Sequence, residues 1–249
     1  MHSRCVFYCL PLMFSLIVLS TGCASTGSAQ KSEPQPKDPW ESYNRVVFDV
    51  NMTLDGWVVK PVAKGYHAVM PDPVEQGVDN FFSNVLEVRN ALNNMLQWKW
   101  RKVGNNTGRF LLNSTVGLAG LFDVAKYTGL KKQDAETFGQ TLSYWGIKSG
   151  PYFVLPVLGP STVTDAISLP VDWYSNPLTY LDDKELSYSL KALELLSSRV
   201  KLLEAEKLMS GDRYIFIREA YLQRREFLVQ DGEVEDDFGG DFDDFDEDF

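Results

Sequence analysis

The sequence predicts an all-α body, and three observations predict it. Apolar residues recur at alternating steps of three and four along much of the chain. An Asp-Pro-x-Glu helix start occurs twice, and no convincing run alternates apolar and polar residues at the period of a strand. The 249 residues are 44% hydrophobic, ordinary for a globular body and enough for a sizeable core. Net charge is −10, from 24 Lys and Arg against 34 Asp and Glu. A binder of nucleic acid needs a basic stripe to release phosphate counterions, so nucleic acid is set aside as a partner. The acidity is local: residues 231–249 hold eleven acids and no base, whereas residues 23–230 hold 23 of each.

The first element is a targeting segment, residues 1–22. Arg4 precedes an uncharged, largely apolar run from Val6 to Leu19, and small polar residues lead to Cys23. Fourteen residues fall short of the roughly 20 that span a bilayer as a helix but match a signal-peptide core. A short N-terminal anchor is the alternative. The end, LSTGC, resembles the lipobox of bacterial lipoproteins, with Ser20 where Leu is usual and Leu19 one step back. That resemblance makes Cys23 the acylated first residue of the mature chain, and Ala24 behind it, rather than Asp, points to the outer membrane. Cys5 and Cys9 leave with the signal, so no disulfide or cysteine metal site is expected in the mature chain.

Residues 23–37 follow as a tether, with two prolines and no aromatic or branched aliphatic residue to bury. The folded body is expected over 38–230. Asp38-Pro39 and Asp72-Pro73 each place an N-cap Asp before a Pro at the first helical position, with a Glu two residues later. Behind the first start, Trp40, Tyr43, Val47, Val50, Leu54 and Trp57 form a stripe that Val46, Phe48, Met52, Val58 and Val59 widen around the helix. Such girth favours a helix central in a core, with a lipid-facing helix as the alternative. Val78 to Leu96 continues the second start to an end near Lys99 to Gly104, and a third helix runs from about Asn106 into Gly117 to Gly120. Late in the chain, Leu186 to Leu203 marks an amphipathic helix capped by Asp182. Tyr214 to Leu228 forms another, with Arg224 and Arg225 in its last turn.

Between these lies SGPYFVLPVLGPSTVT, residues 149–164, uncharged and with three prolines. Proline excludes a regular helix and the apolar content excludes a solvated loop, so the segment is read as extended chain clamped across the core. Packing on lipid is the alternative. The tail 231–249 spaces Phe238, Phe242, Phe245 and Phe249 by four, three and four, yet its charge and glycines predict disorder in isolation.

Catalytic equipment is sparse. His67 is the only histidine left after the signal, and it reads as a helix-end packing residue. No GxSxG elbow, phosphate-binding glycine loop or His/Cys zinc pattern is present. No cofactor, no metal and no enzyme activity are expected. Asp165, after the Pro-rich segment and Gly159-Pro160-Ser161-Thr162, is either an ordinary first-turn carboxylate or a polar group lining a lipid-headgroup passage.

Ordered motifs over Asp38 to Leu228 resemble the VacJ/MlaA family of outer-membrane lipoproteins: DPWESYNRVVFDVN (38–51), KPVAKGY (60–66), NFFSNV (80–85), GRFLLNSTVGLAGLFDVA (108–125), FGQTLSYWG (138–146), GPYFVLPVLGPST (150–162) and DRYIFIREAYLQRREF (212–227). After GPST the family usually carries a basic residue before the Asp, whereas Thr164 stands here, which weakens the case for a fixed ion pair. The resemblance implies a single ring-like helical domain in the periplasmic leaflet of the outer membrane, bound to a porin trimer. An amphipathic channel would pass misplaced phospholipids from the outer leaflet to a periplasmic lipid carrier protein. A scaffold that organises porins without moving lipid is the alternative. Carried onto this chain, the lipid attachment falls on Cys23, and channel or gate roles fall on Asn51, Asp55 and Asp165.

Overall fold

A computed structural model describes residues 38–207 and 209–232. The signal segment, Cys23, the tether and the tail from Glu233 onward lie outside the described residues. The described body is mainly helical: α1 (Glu41–Leu54), α2 (Lys60–Val69), α3 (Asp72–Leu96), α4 (Trp100–Thr115), α5 (Phe138–Tyr144), α6 (Val163–Tyr174), α7 (Lys184–Glu206) and α8 (Arg213–Val229). Helices α1 and α2 are one continuous rod, joined by a π turn at Asp55–Val59. There Lys60 N bonds to Asp55 O, five residues back, which absorbs the missing amide of Pro61 within an otherwise unbroken helix.

Several expected termini move. Asp38 is not a cap: it is fully buried before α1, and Asn44 Nδ2 (2.8 Å), Arg218 Nη1 (3.2 Å) and the Tyr214 hydroxyl all donate to it. Asp72 is the first residue of α3 itself, behind Pro71, and makes no cap bond. Asp183, not Asp182, caps α7 by accepting from Glu185 N and Leu186 N. Helix α3 ends at Leu96, and α4 begins at Trp100 rather than near Asn106. Helix α4 stops at Thr115, and Leu118, Ala119 and Gly120 turn through positive φ (50°, 57° and 95°). Gly120 is required there, since a Cβ would stand 2.7 Å from Asn84 Cβ.

The Pro-rich segment is extended, as expected, but as a hairpin: β1 (Tyr152–Leu155) pairs antiparallel with β2 (Gly159–Thr162). Four-residue strands are too short to show a period among prolines. Tyr152 and Val154 are buried with Phe48 and Tyr214, forming the main apolar cluster.

Packing partners form a closed circuit. The α1 rod meets β1 at one end and, through α2, meets α7; α7 packs on α3, α3 on α5, α5 on α8, and α8 returns to β2. The burial pattern around it is inverted. Among the described residues, 23 polar or charged side chains are buried against nine apolar ones, and 38 large apolar side chains are exposed. Helix α3 buries Asn84, Glu87, Asn90, Asn93 and Asn94, while α1 and its extension expose Val46 (64%), Trp57 (82%) and Val62 (54%). The preference for a core position is therefore corrected. The α1 stripe is left exposed, while the buried positions of the circuit are taken largely by polar groups, many of which hydrogen-bond one another.

Candidate functional site: the polar interior

Helix α8 carries a stripe of Tyr214, Arg218, Tyr221 and Arg225 at steps of four, three and four, which places all four on one face. Each Tyr/Arg pair grips one aspartate. Tyr214 and Arg218 hold Asp38. Tyr221 Oη (2.6 Å) and the Arg225 fork (2.7 and 3.1 Å) hold Asp165. Burial, and then the aspartate beside each, push the Tyr221 and Tyr214 phenols far up, so both remain donors.

Asp165 lies in the first turn of α6, where Thr162 Oγ1 caps its amide at 3.2 Å. It is the first-turn carboxylate of the expected kind, and it also lines a cavity of about 330 Å³ with Thr137, Gln140, Asp172 and Tyr221. The missing basic residue before it is supplied from α8, sixty positions away in sequence, so a fixed ion pair does exist. Arg225 is also not a last-turn cation: its Nη1 donates to the Ser149 hydroxyl, and its Nη2 donates to Ser143 Oγ as well as to Asp165. Gly139 permits the close approach of α5, because a Cβ there would sit 2.1 Å from Asp165 Oδ1.

Asn51 and Asp55, one helical turn apart, both reach outward to other elements. The Asn51 amide donates to Leu155 O (2.9 Å) and accepts from Val157 N (2.8 Å), pinning the hairpin turn where Val157 has φ 66°. Asp55 takes a two-bond fork from Arg199 of α7 at 2.7 Å each, and Arg199 also binds Glu206, which Lys60 contacts at 2.6 Å. Burial acts to raise the Glu206 carboxyl, but hydrogen bonds from Arg199 and Lys60 outweigh it and hold the group below its usual range. No hydrogen bond or ion pair joins Asp165 to Asn51 or Asp55. His67 is exposed at the end of α2 and paired with Glu75 at 2.9 Å, rather than packed.

The arginines are what sequence reading missed. Arg109 is 2% exposed and joins Glu87 (2.8 Å) on α3 to Asp123 (3.0 Å) and Leu130 O, fastening the loop after α4. The available signal was the four-three-four spacing of Tyr and Arg on α8. Among the described residues no His/Cys/Asp/Glu group could hold a metal, and no helix is long and apolar enough to cross a membrane.

Two outcomes follow. Gly139→Ala displaces Asp165 from Arg225 and costs about 1–3 kcal/mol in a denaturant titration of the detergent-solubilised protein. A depressed carboxylate stabilises the fold above its unfolded pKa, near 4.5 for Glu206, and loses that contribution as acid titrates the folded group. Glu206→Gln is thus less stable than wild type at neutral pH, and the gap in melting temperature closes as the pH is taken below that value.

The MlaA lipoprotein family model matches residues 36–228. An uncharacterized protein of Rickettsia typhi is 36% identical over 197 residues, 78% of each chain. The Escherichia coli protein named intermembrane phospholipid transport system lipoprotein MlaA is 34% identical over 234 residues, 90% of this chain and 92% of its own. A solved structure described as "Structural basis for maintenance of bacterial outer membrane lipid asymmetry" superposes with a TM-score of 0.69 at 34% identity, covering 77% of this chain and 98% of the other. With the matched model spanning nearly all of the described body and these relatives in agreement, the chain belongs to the MlaA lipoprotein family.

Proposed function

We propose that this protein is an outer-membrane lipoprotein, held by acylated Cys23 on the periplasmic side, that forms a passive conduit for phospholipids. It takes misplaced phospholipid from the outer leaflet and passes it to a periplasmic carrier protein while seated beside a porin trimer, which maintains lipid asymmetry. The observation that carries this reading is the inverted burial pattern, with 38 large apolar side chains outside and 23 polar ones within, among the described residues. A charged headgroup pays a large desolvation penalty in hydrocarbon, and an interior of fixed amides, hydroxyls and ion pairs replaces the lost water. The outward Trp57, Val46 and Val62 meet acyl chains or an apolar partner surface at no such cost. The relatives' names, which speak of phospholipid transport and lipid asymmetry, support the same direction.

No covalent step is needed. Direction is set by the relative affinities of donor leaflet and carrier, since a passive path cannot bias an equilibrium. Within this reading Asp165, locked to α8, shapes the cavity wall, while Asn51 and Asp55, which fix the hairpin turn and the α1–α7 seam, are the candidate gate residues. The test is surface phosphatidylethanolamine, labelled in intact cells by a membrane-impermeant amine reagent. Deleting the gene raises the label, wild type restores it, and Cys23→Ala or Asp165→Ala fails to restore it. An unchanged label, with a porin still co-purifying, would replace the conduit by a porin scaffold.

A further inference from the structure

The turn between α3 and α4 gathers positive charge and exposed aromatic surface. Trp98, Lys99, Trp100, Arg101 and Lys102 put three cations and two indoles into five residues. Trp98 is 72% exposed and Trp100 56%, and their rings meet edge to face at 5.8 Å. Trp98 holds a φ of 59°, a left-handed conformation that strains a bulky residue. Lys99 Nζ stands over the Tyr144 ring at 5.4 Å, and Trp145 Nε1 donates to Leu96 O at 3.2 Å, so the end of α5 widens the aromatic face. The cations stand where the α4 dipole is already positive, and no acid occupies the first turn of that helix.

Acids reach the corner from elsewhere in the chain. Glu136 lies 3.8 and 3.7 Å from Lys99 and Lys102, and Asp231 is closer, accepting from the same two ammonium groups at 2.5 and 2.7 Å. Arg101 is exposed and has no ion pair among the described residues; those at the corner all use Lys99 or Lys102. Asp231 is also where the chain leaves α8. Its amide donates to Leu228 O and that of Gly232 to Phe227 O, with φ of 58° and 85°, a turn that ends the helix and fixes the exit beside the cations. Residues 233–249, outside the described residues, follow with ten acids, four phenylalanines and no base. Fully extended they would reach on the order of 50 Å, and tethering at this exit holds their local concentration at about millimolar.

We propose that the acidic tail, residues 233–249, docks in cis on the corner formed by Trp98, Lys99, Trp100, Arg101 and Lys102, with Asp231 as its anchor. Its acids meet the cations, Arg101 above all, and its phenylalanines cover the indoles. Asp231 shows the chemistry, since the corner already accepts the carboxylate that opens this acidic run. Burial acts to raise that carboxyl, but hydrogen bonds from Lys102 and Lys99 outweigh it and hold the group below its usual range. Each further exposed pair is weak and screened by salt, so the hold is a sum over many contacts and is reversible. Phenylalanine against tryptophan adds a contact that salt does not screen. The inference goes beyond the conduit reading and stands without it.

The experiment uses the full chain in mild detergent, with the photoreactive residue p-benzoylphenylalanine in place of Phe242 and crosslinked peptides mapped by mass spectrometry. At low ionic strength the crosslink falls on residues 98–102 of the same chain. Raising the ionic strength from about 0.1 to about 1 M shortens the screening length from about 10 to about 3 Å and lowers the yield. Arg101→Glu lowers the low-salt yield by about threefold or more, because one exposed charge of the cluster is reversed, while Arg101→Lys keeps it near wild type. Arg101 is exposed, so both variants fold as wild type does. Crosslinks confined to other parts of the body, or formed between two chains, overturn the docking. A yield at 98–102 that is indifferent both to salt and to Arg101→Glu overturns it as well. In vesicles of phosphatidylethanolamine and phosphatidylglycerol the same crosslink persists; photoproducts with lipid in its place would assign the corner to an anionic membrane surface and overturn the proposal.

Discussion

The double clasp on α8 is the interaction on which the rest depends. Tyr214 with Arg218 and Tyr221 with Arg225 repeat one device two helical turns apart, and each repeat immobilises an aspartate from a distant part of the chain. One aspartate precedes the long α1–α2 rod, and the other opens α6. Through Asp38 the clasp also sets Asn44, whose amide donates to Tyr152 O and accepts from Val154 N, so the hairpin is held by the same network. Removing one member of such a buried pair strands the other, a loss of about 3–5 kcal/mol rather than the small value of a surface ion pair.

That network explains why the molecule tolerates its inverted pattern. A polar interior is stabilised to the extent that its members satisfy one another, and here many do so between elements. Asn93 of α3 and Gln97 just past its end bond the loop and α5 at Glu136 and Thr141, Arg109 bonds both α3 and the loop after α4, and Arg199 ties α7 to the π turn. Once the inner faces are spent on each other, the apolar stripes have only the outside left. For a protein in water this would be a liability to aggregate; for one in lipid it is the natural surface. The conduit reading therefore grows from the same constraint as the fold.

Sequence reading reached the helices, the extended character of residues 149–164 and the place of Asp165 at a helix start, because periodicity, proline and charge are local signals. It did not reach which face of α1 points inward. A stripe of Trp40, Tyr43, Val50 and Trp57 is equally periodic against a core or against lipid, and only the partners of the opposite face decide. The cap of α7 slipped by one residue because Asp182 and Asp183 are chemically equal candidates, and backbone geometry selects between them. The partner of Asp165 was out of reach for another reason: Arg225 lies sixty residues downstream, and its neighbour Arg224 is exposed, so nothing nearby distinguishes the clasping arginine from a surface one. The Tyr/Arg spacing on α8 is the pattern to seek in such cases.

The central claim is that the apolar exterior meets lipid. It is tested most directly by nitroxide labels at Val46→Cys, Trp57→Cys and Val62→Cys, in protein reconstituted alone into phosphatidylethanolamine and phosphatidylglycerol vesicles. Relaxation by molecular oxygen, which concentrates in hydrocarbon, is compared with relaxation by a water-soluble nickel chelate. Oxygen dominating at all three positions is the result expected here. Nickel dominating at them would place the stripe in water and contradict the account.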